Sequence, residues 1–135
     1  AHFMSKTNTG LGPTPDNGHD DRPRFGIGHV SMQAADIDGL TEFYSDIGMR
    51  LVANMGRVAI LELRGGTHLV LGAGQAGTTT LDLIVDDIDD THKILREAGA
   101  DPSTIQRGNP HDRFTAVDPE GNTLLMYSNH AIGPV

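Results

Sequence analysis

His29, in the stretch GIGHVSMQAADIDGL, is an imidazole set within an apolar run, and three roles are open to it. It can ligate a metal, work as an acid–base group without one, or sit hydrogen-bonded inside the fold. His68, in GTHLVL, lies two residues before Val70 and therefore on the same side of a strand, about 7 Å along it, where it can reach the same interior. His111, Asp112 and Arg113 are consecutive, and the first and third share a face; a guanidinium beside an imidazole suits an anionic or carbonyl-bearing ligand. Tyr127 shares a face with Leu125, from which it can donate a phenolic proton or pack as a hydrogen-bonded ring. Glu62 is a candidate base if it points inward between Leu61 and Leu63, although those apolar neighbours place it on the opposite, solvated face.

Two further patterns lose their chemistry in context. GAGQAG at 72–77 has the glycine spacing of a dinucleotide loop but precedes a strand, TTTLDLIV, so its glycines read as a linker. DDIDD at 86–90 lacks the spaced oxygen ligands and terminal glutamate of a calcium loop, and reads as the acidic first turn of a helix.

The elements that must hold these groups follow from periodicity. Asp36 is a helix N-cap, Ile37, Leu40, Phe43, Tyr44 and Ile47 recur at helical spacing, and Gly48 supplies a left-handed exit. Before this helix FGIGHVSM reads as a strand; after it RLVANM, RVAILEL and THLVLGA read as three more, with turns at Gly56 and at Gly65-Gly66. The order then restarts. TLDLIV is a strand, Asp87 a cap, Ile88, Thr91, Ile94, Leu95 and Ala98 a helix stripe, and Gly99 its stop. Asp36 and Asp87 are 51 residues apart, as are Gly48 and Gly99, while GTHLVL and GNTLLM are offset by 55, the extra residues falling in DPSTIQRGNPHDR. Each half spells βαβββ, the second ending in FTAV, the turn DPEG and NTLLMYS. The domain covers residues 25–130, with module one at 25–73 and module two at 80–130. Residues 1–24 read as a flexible tail too poor in apolar residues to order itself, headed by a cloning remnant, Ala1-His2-Phe3; His19 with Asp20 and Asp21 reads as part of that solvated tail.

Composition narrows the partners. A chain of 135 residues with 37% apolar and 21% charged residues suits one globular domain, and a net charge of −8 disfavours nucleic acid and anionic membrane surfaces. No apolar run is long enough to span a bilayer. Cysteine is absent, which removes disulfides, thiolate nucleophiles and zinc–thiolate sites; the cytoplasm is the expected location. Four phenylalanines, two tyrosines and no tryptophan argue against an aromatic cage.

GHV on the first strand, FYSDIGMRLV across the end of the first helix, VDDIDDTHKILREAGA in the second module and AVDPEGNTLLMY near the C-terminus make residues 26–129 resemble the vicinal oxygen chelate superfamily. That superfamily includes glyoxalase I, extradiol dioxygenases, fosfomycin resistance proteins and bleomycin-binding proteins. The resemblance implies an α+β fold in which two βαβββ modules form an open, eight-stranded barrel-like cup, with a small-molecule ligand between the modules. It also implies pairing of the half-barrels within one chain or between two, so that a homodimer is expected.

Metal-dependent members of the superfamily hold a divalent ion between the modules, and the resemblance places the ligands on the first and last strands of each. Here those positions fall on His29, on Thr80 by the 51-residue offset, on Leu125, and on Val70 with His68 two residues before it. His29 and His68 are strong donors, Thr80 offers a hydroxyl that can also bind substrate alongside Arg113, and Leu125 offers nothing. Zinc, nickel, iron or manganese is the implied cofactor, if any. Three functions are then open: a metal-assisted lyase, isomerase or dioxygenase; a metal-free binder that sequesters a cationic drug of the bleomycin type; and a metal-free lyase or isomerase using His29, His68 or His111, with Tyr127, as acid–base groups.

Overall fold

The computed structural model describes residues 19–77 and 79–134, so most of the expected tail, including Ala1–Phe3, lies outside the described residues. Of that tail, Asp20 ion-pairs with Arg22 and His19 with Asp21. Gly28–His130 forms one compact unit.

Module one runs β1 (His29–Ala34), α1 (Ile37–Asp46), β2 (Arg50–Asn54), β3 (Val58–Glu62) and β4 (His68–Ala73). Its sheet has the order β1-β4-β3-β2, with β1 and β4 parallel and the other neighbours antiparallel. Module two runs β5 (Thr80–Val85), α2 (Ile88–Glu97), β6 (Arg113–Val117) and β7 (Thr123–Ser128), ordered β5-β7-β6. The internal repeat is structural as well as sequential. Both helices have ten residues, each is capped by its aspartate accepting from the backbone N–H three residues on, and each is followed by a glycine at positive φ. His29 pairs with His68, and Thr80, 51 residues later, pairs with Thr123, 55 residues later.

Strand parity divides each sheet into two faces. Met32, Ala34, Ala59, Leu61, Leu69 and Leu71 in module one, and Leu81, Phe114, Ala116, Leu124 and Met126 in module two, are buried in one core with the apolar faces of α1 and α2. The alternate residues form the other face, which no helix covers.

The expected α+β fold and its two modules are present, with one correction. Among the described residues there are seven strands in two sheets of four and three, and the sheets do not close into a barrel. The missing strand corresponds to residues 100–106, which run beside β6: Val117 N–H donates to Ala100, Ser103 N–H to Thr115, and Gln106 exchanges two bonds with Arg113. At each step three residues of this segment oppose two of β6, so no regular ladder forms and only one bridge survives. Pro102 and Pro110, without N–H groups, add to the irregularity.

A buried carboxylate joins the modules. Asp118, at the start of the β6–β7 turn, accepts from Tyr44 Oη of α1 at 2.7 Å, from the backbone N–H groups of Glu120 and Asn122, and from Asn122 Nδ2. Glu120 in turn accepts from the N–H groups of Ala35 and Asp36 at the entry to α1. Burial pushes the Tyr44 phenol well above the usual range, and its hydrogen bond to Asp118 pushes it the same way. Because the folded value is raised, this phenol contributes stability in full below its unfolded value near pH 10 and loses it as pH rises further. Unfolding free energy is therefore expected to fall by up to about 1.4 kcal/mol per pH unit above roughly pH 10 from this group alone. Denaturant midpoints between pH 9 and 11.5 test this, and a Tyr44→Phe variant with the same alkaline slope would contradict it.

Candidate functional site

On the face turned away from α1, the registers of module one bring one residue from each strand into a single row. His29 of β1 pairs with His68 of β4, His68 with Glu62 of β3, and Glu62 with Arg50 of β2. The two imidazoles stack with centroids 5.7 Å apart and planes inclined by 30°. Glu62 Oε2 lies 3.8 Å from His68 Nε2, within ion-pair reach but beyond a hydrogen bond, and Arg50 Nη1 donates to Glu62 Oε1 at 2.9 Å. His68 and Glu62 keep 29% and 28% of their side-chain surface, enough to meet a ligand while remaining held by neighbours.

One expectation changes here. His29 is not hydrogen-bonded inside a barrel; it is exposed at the start of an edge strand, because the same parity that buries Met32 and Ala34 turns His29, Ser31 and Gln33 to the open face. Glu62 does lie opposite Leu61, on the face that read as solvated, and that is also the face of His68, so it joins the same row. Arg50 was missed by sequence reasoning, because nothing local to RLVAN signals a partner twelve residues away.

In module two, His111, Tyr127 and Arg113 also come together. The His111 ring meets Tyr127 edge-on at 4.6 Å, and Arg113 pairs with Tyr127 across β6 and β7 while donating Nε to Gln106 Oε1. His130, overlooked because it lies past the last strand with no periodic neighbour, stands 5.0 Å from His111. His111 Nδ1 is buried without a hydrogen-bond partner. These groups lie on or beside the three-stranded sheet and are not in the row formed by His29 and His68. Thr80 is exposed at the start of β5, opposite Thr123; Leu125 pairs with Asp82, an exposed carboxylate that strand parity in TLDLIV could have revealed.

A resident divalent ion of the implied kind wants at least three side-chain donors. His29 and His68 supply two, Glu62 is engaged by Arg50, and Thr80, Val70 and Leu125 add no strong donor. Among the described residues no three His, Asp or Glu side chains are arranged to hold a metal ion. The donor set does not fit the group.

The family model described as a glyoxalase-like domain matches residues 29–126. Among solved structures, a lactoylglutathione lyase from Agrobacterium tumefaciens is 18% identical with a TM-score of 0.69, covering 84% of this chain and 100% of its own. The oxidase ChaP-H2 is 20% identical with a TM-score of 0.68, covering 78% and 94%. A bleomycin resistance determinant encoded on transposon Tn5 is 18% identical with a TM-score of 0.66, covering 79% and 100%. At these identities the likeness is one of fold. No curated protein matches significantly.

Proposed function

Because this chain belongs to the glyoxalase-like domain family and has the glyoxalase/bleomycin resistance/dioxygenase fold, we propose that its His29–His68–Glu62 face takes a small oxygenated molecule and moves a proton on it. The observation that carries this reading is the Glu62 carboxylate, steadied by Arg50 and set 3.8 Å from His68 Nε2. The ring keeps part of its surface open beside this carboxylate, so a nitrogen of His68 can meet a ligand as a general acid–base group. In the reaction class proposed, the imidazole of His68 removes a proton from the carbon beside a carbonyl, the electron pair stays on the substrate as an enolate, and the proton returns to carbon or oxygen. His29 stands beside His68 to donate to the carbonyl oxygen. This is isomerase-type chemistry without a resident metal.

The test has two parts. Thermal-shift screening across thiohemiacetals, α-hydroxy ketones, catechols and cationic antibiotics finds a ligand, since a binder of the folded state raises its melting temperature. Exchange of the carbon-bound proton in deuterated water then reports chemistry: incorporation by the native chain and its loss in His68→Ala is the expected result. Elemental analysis of untagged protein is expected to find far less than one zinc, nickel, iron or manganese per chain. Near-stoichiometric metal that disappears in His29→Ala or His68→Ala would overturn the metal-free reading.

Sequestration of a cationic molecule without reaction is the second reading, favoured by the net charge of −8. It predicts a ligand-induced shift with cationic antibiotics and no deuterium exchange with any of the compounds. The proposal also has two copies pairing to cover their open sheet faces, where Ile84 and Val117 are 47% and 41% exposed; light scattering at the mass of one chain would remove that part. The cytoplasm is the setting it assumes. No helix among the described residues is long and apolar enough to cross a membrane.

A further inference from the structure

The row of side chains on module one ends at a cleft of about 530 Å³, lined by Arg50, Glu62, Arg64, Gly48, Gly65 and Gly66 among others. Two arginines line one small space, and neither guanidinium is saturated. Arg50 uses Nη1 on Glu62 at 2.9 Å, and Arg64 uses Nη1 on Asp86 at 2.9 Å. A guanidinium carries five N–H donors in a fixed fork, so each retains donors for a further acceptor. The glycines leave part of the wall as bare backbone. Gly48, Gly65 and Gly66 all have positive φ, and a Cβ built at any of them would meet nothing within 4 Å. Glycine is thus the residue that both permits these turns and keeps the cleft open. Each arginine faces one carboxylate, Glu62 for Arg50 and Asp86 for Arg64, so an oxyanion in the cleft would be held by the guanidinium donors left over.

We propose that this cleft binds the oxyanion of the ligand, a carboxylate or a phosphate, between Arg50 and Arg64, and so anchors the molecule whose other end meets His68. The inference rests on the function proposed above for His68 and names the class of its substrate: a small carbonyl or hydroxyl compound that carries an acidic group. Arg50 and His68 lie on strands two apart in one rung, about 10 Å between backbones at a spacing of 4.8 Å per strand. The ligand would therefore span from Arg50 to His68 across the intervening strand. Glu62 lines the cleft and also stands beside His68.

Titration of the full chain with succinate and, separately, with inorganic phosphate, followed by amide NMR, tests the anchor without needing the substrate. Saturable shifts at Gly48, Gly65 and Gly66 are expected. Affinity should fall at least tenfold in Arg50→Gln and in Arg64→Gln, weaken with added salt, and persist in His68→Ala. Binding of succinate alone identifies an acid as the ligand class, and of phosphate alone a phosphate ester; either upholds the oxyanion site. Shifts absent from those glycines with both probes, or surviving unchanged in both arginine variants, would overturn it. Both arginine side chains are mostly exposed, so their replacement leaves the core intact. Anion binding with this pattern but no deuterium exchange would leave the anchor standing and remove the chemistry assigned to His68; the reverse pattern would locate the failure here.

Discussion

Replacing Asp118 with alanine is expected to destabilise the protein by about 3–5 kcal/mol, a large share of the roughly 5–15 kcal/mol that holds a domain of this size folded. The side chain is 4% exposed and accepts four hydrogen bonds, from Tyr44 Oη, two backbone N–H groups and Asn122 Nδ2. Alanine leaves all four donors without their acceptor. Tyr44 and Asn122 are themselves fully buried, and each stranded donor costs about 1–3 kcal/mol when water cannot replace the partner. Partial relaxation of the β6–β7 turn keeps the sum below the arithmetic total. Tyr44→Phe, which removes one donor and leaves three bonds in place, should cost only about 1–2 kcal/mol. Denaturant midpoints at neutral pH measure both. A cost below about 1 kcal/mol for Asp118→Ala would mean that this carboxylate contributes little to joining the modules.

The second large effect concerns the proposed base. His68→Ala is expected to slow deuterium exchange by about 10²- to 10⁴-fold, the range in which a positioned acid–base group contributes. Glu62→Gln keeps the shape and the acceptor for Arg50 but removes the charge beside His68 Nε2, and should slow the reaction by about tenfold with the ligand's affinity little changed. Folding is a minor concern for either variant, because both side chains lie on the face opposite the apolar core. Equal rates in the native chain and His68→Ala would transfer attention to His111, whose buried Nδ1 lacks a partner and whose ring meets Tyr127.

The amino-acid sequence by itself determined every feature that depends on neighbours along the chain. Asp36 and Asp87 cap helices because a side-chain oxygen three residues before an N–H is a local geometry, and Gly48 and Gly99 end them because positive φ is cheap only for glycine. The offsets of 51 and 55 residues carried further: they matched His29 with Thr80 and His68 with Thr123, which is how the parallel strand pairs align. Strand parity alone placed His68 off the core face.

What only the tertiary structure decided is which of these faces meet. The order β1-β4-β3-β2 places Glu62 between His68 and Arg50, and no periodicity encodes that order, since the strands adjacent in space include a pair separated by an entire helix and two strands. The cleft between Arg50 and Arg64 and the meeting of His111 with His130 arise in the same way, from turns and strand ends. The eighth strand failed because three residues of one segment opposed two of the other, a mismatch invisible until both partners are known. Local steric and hydrogen-bonding rules act over a few residues and are written in the chain itself, whereas the row at the site exists only once distant strands have chosen their neighbours.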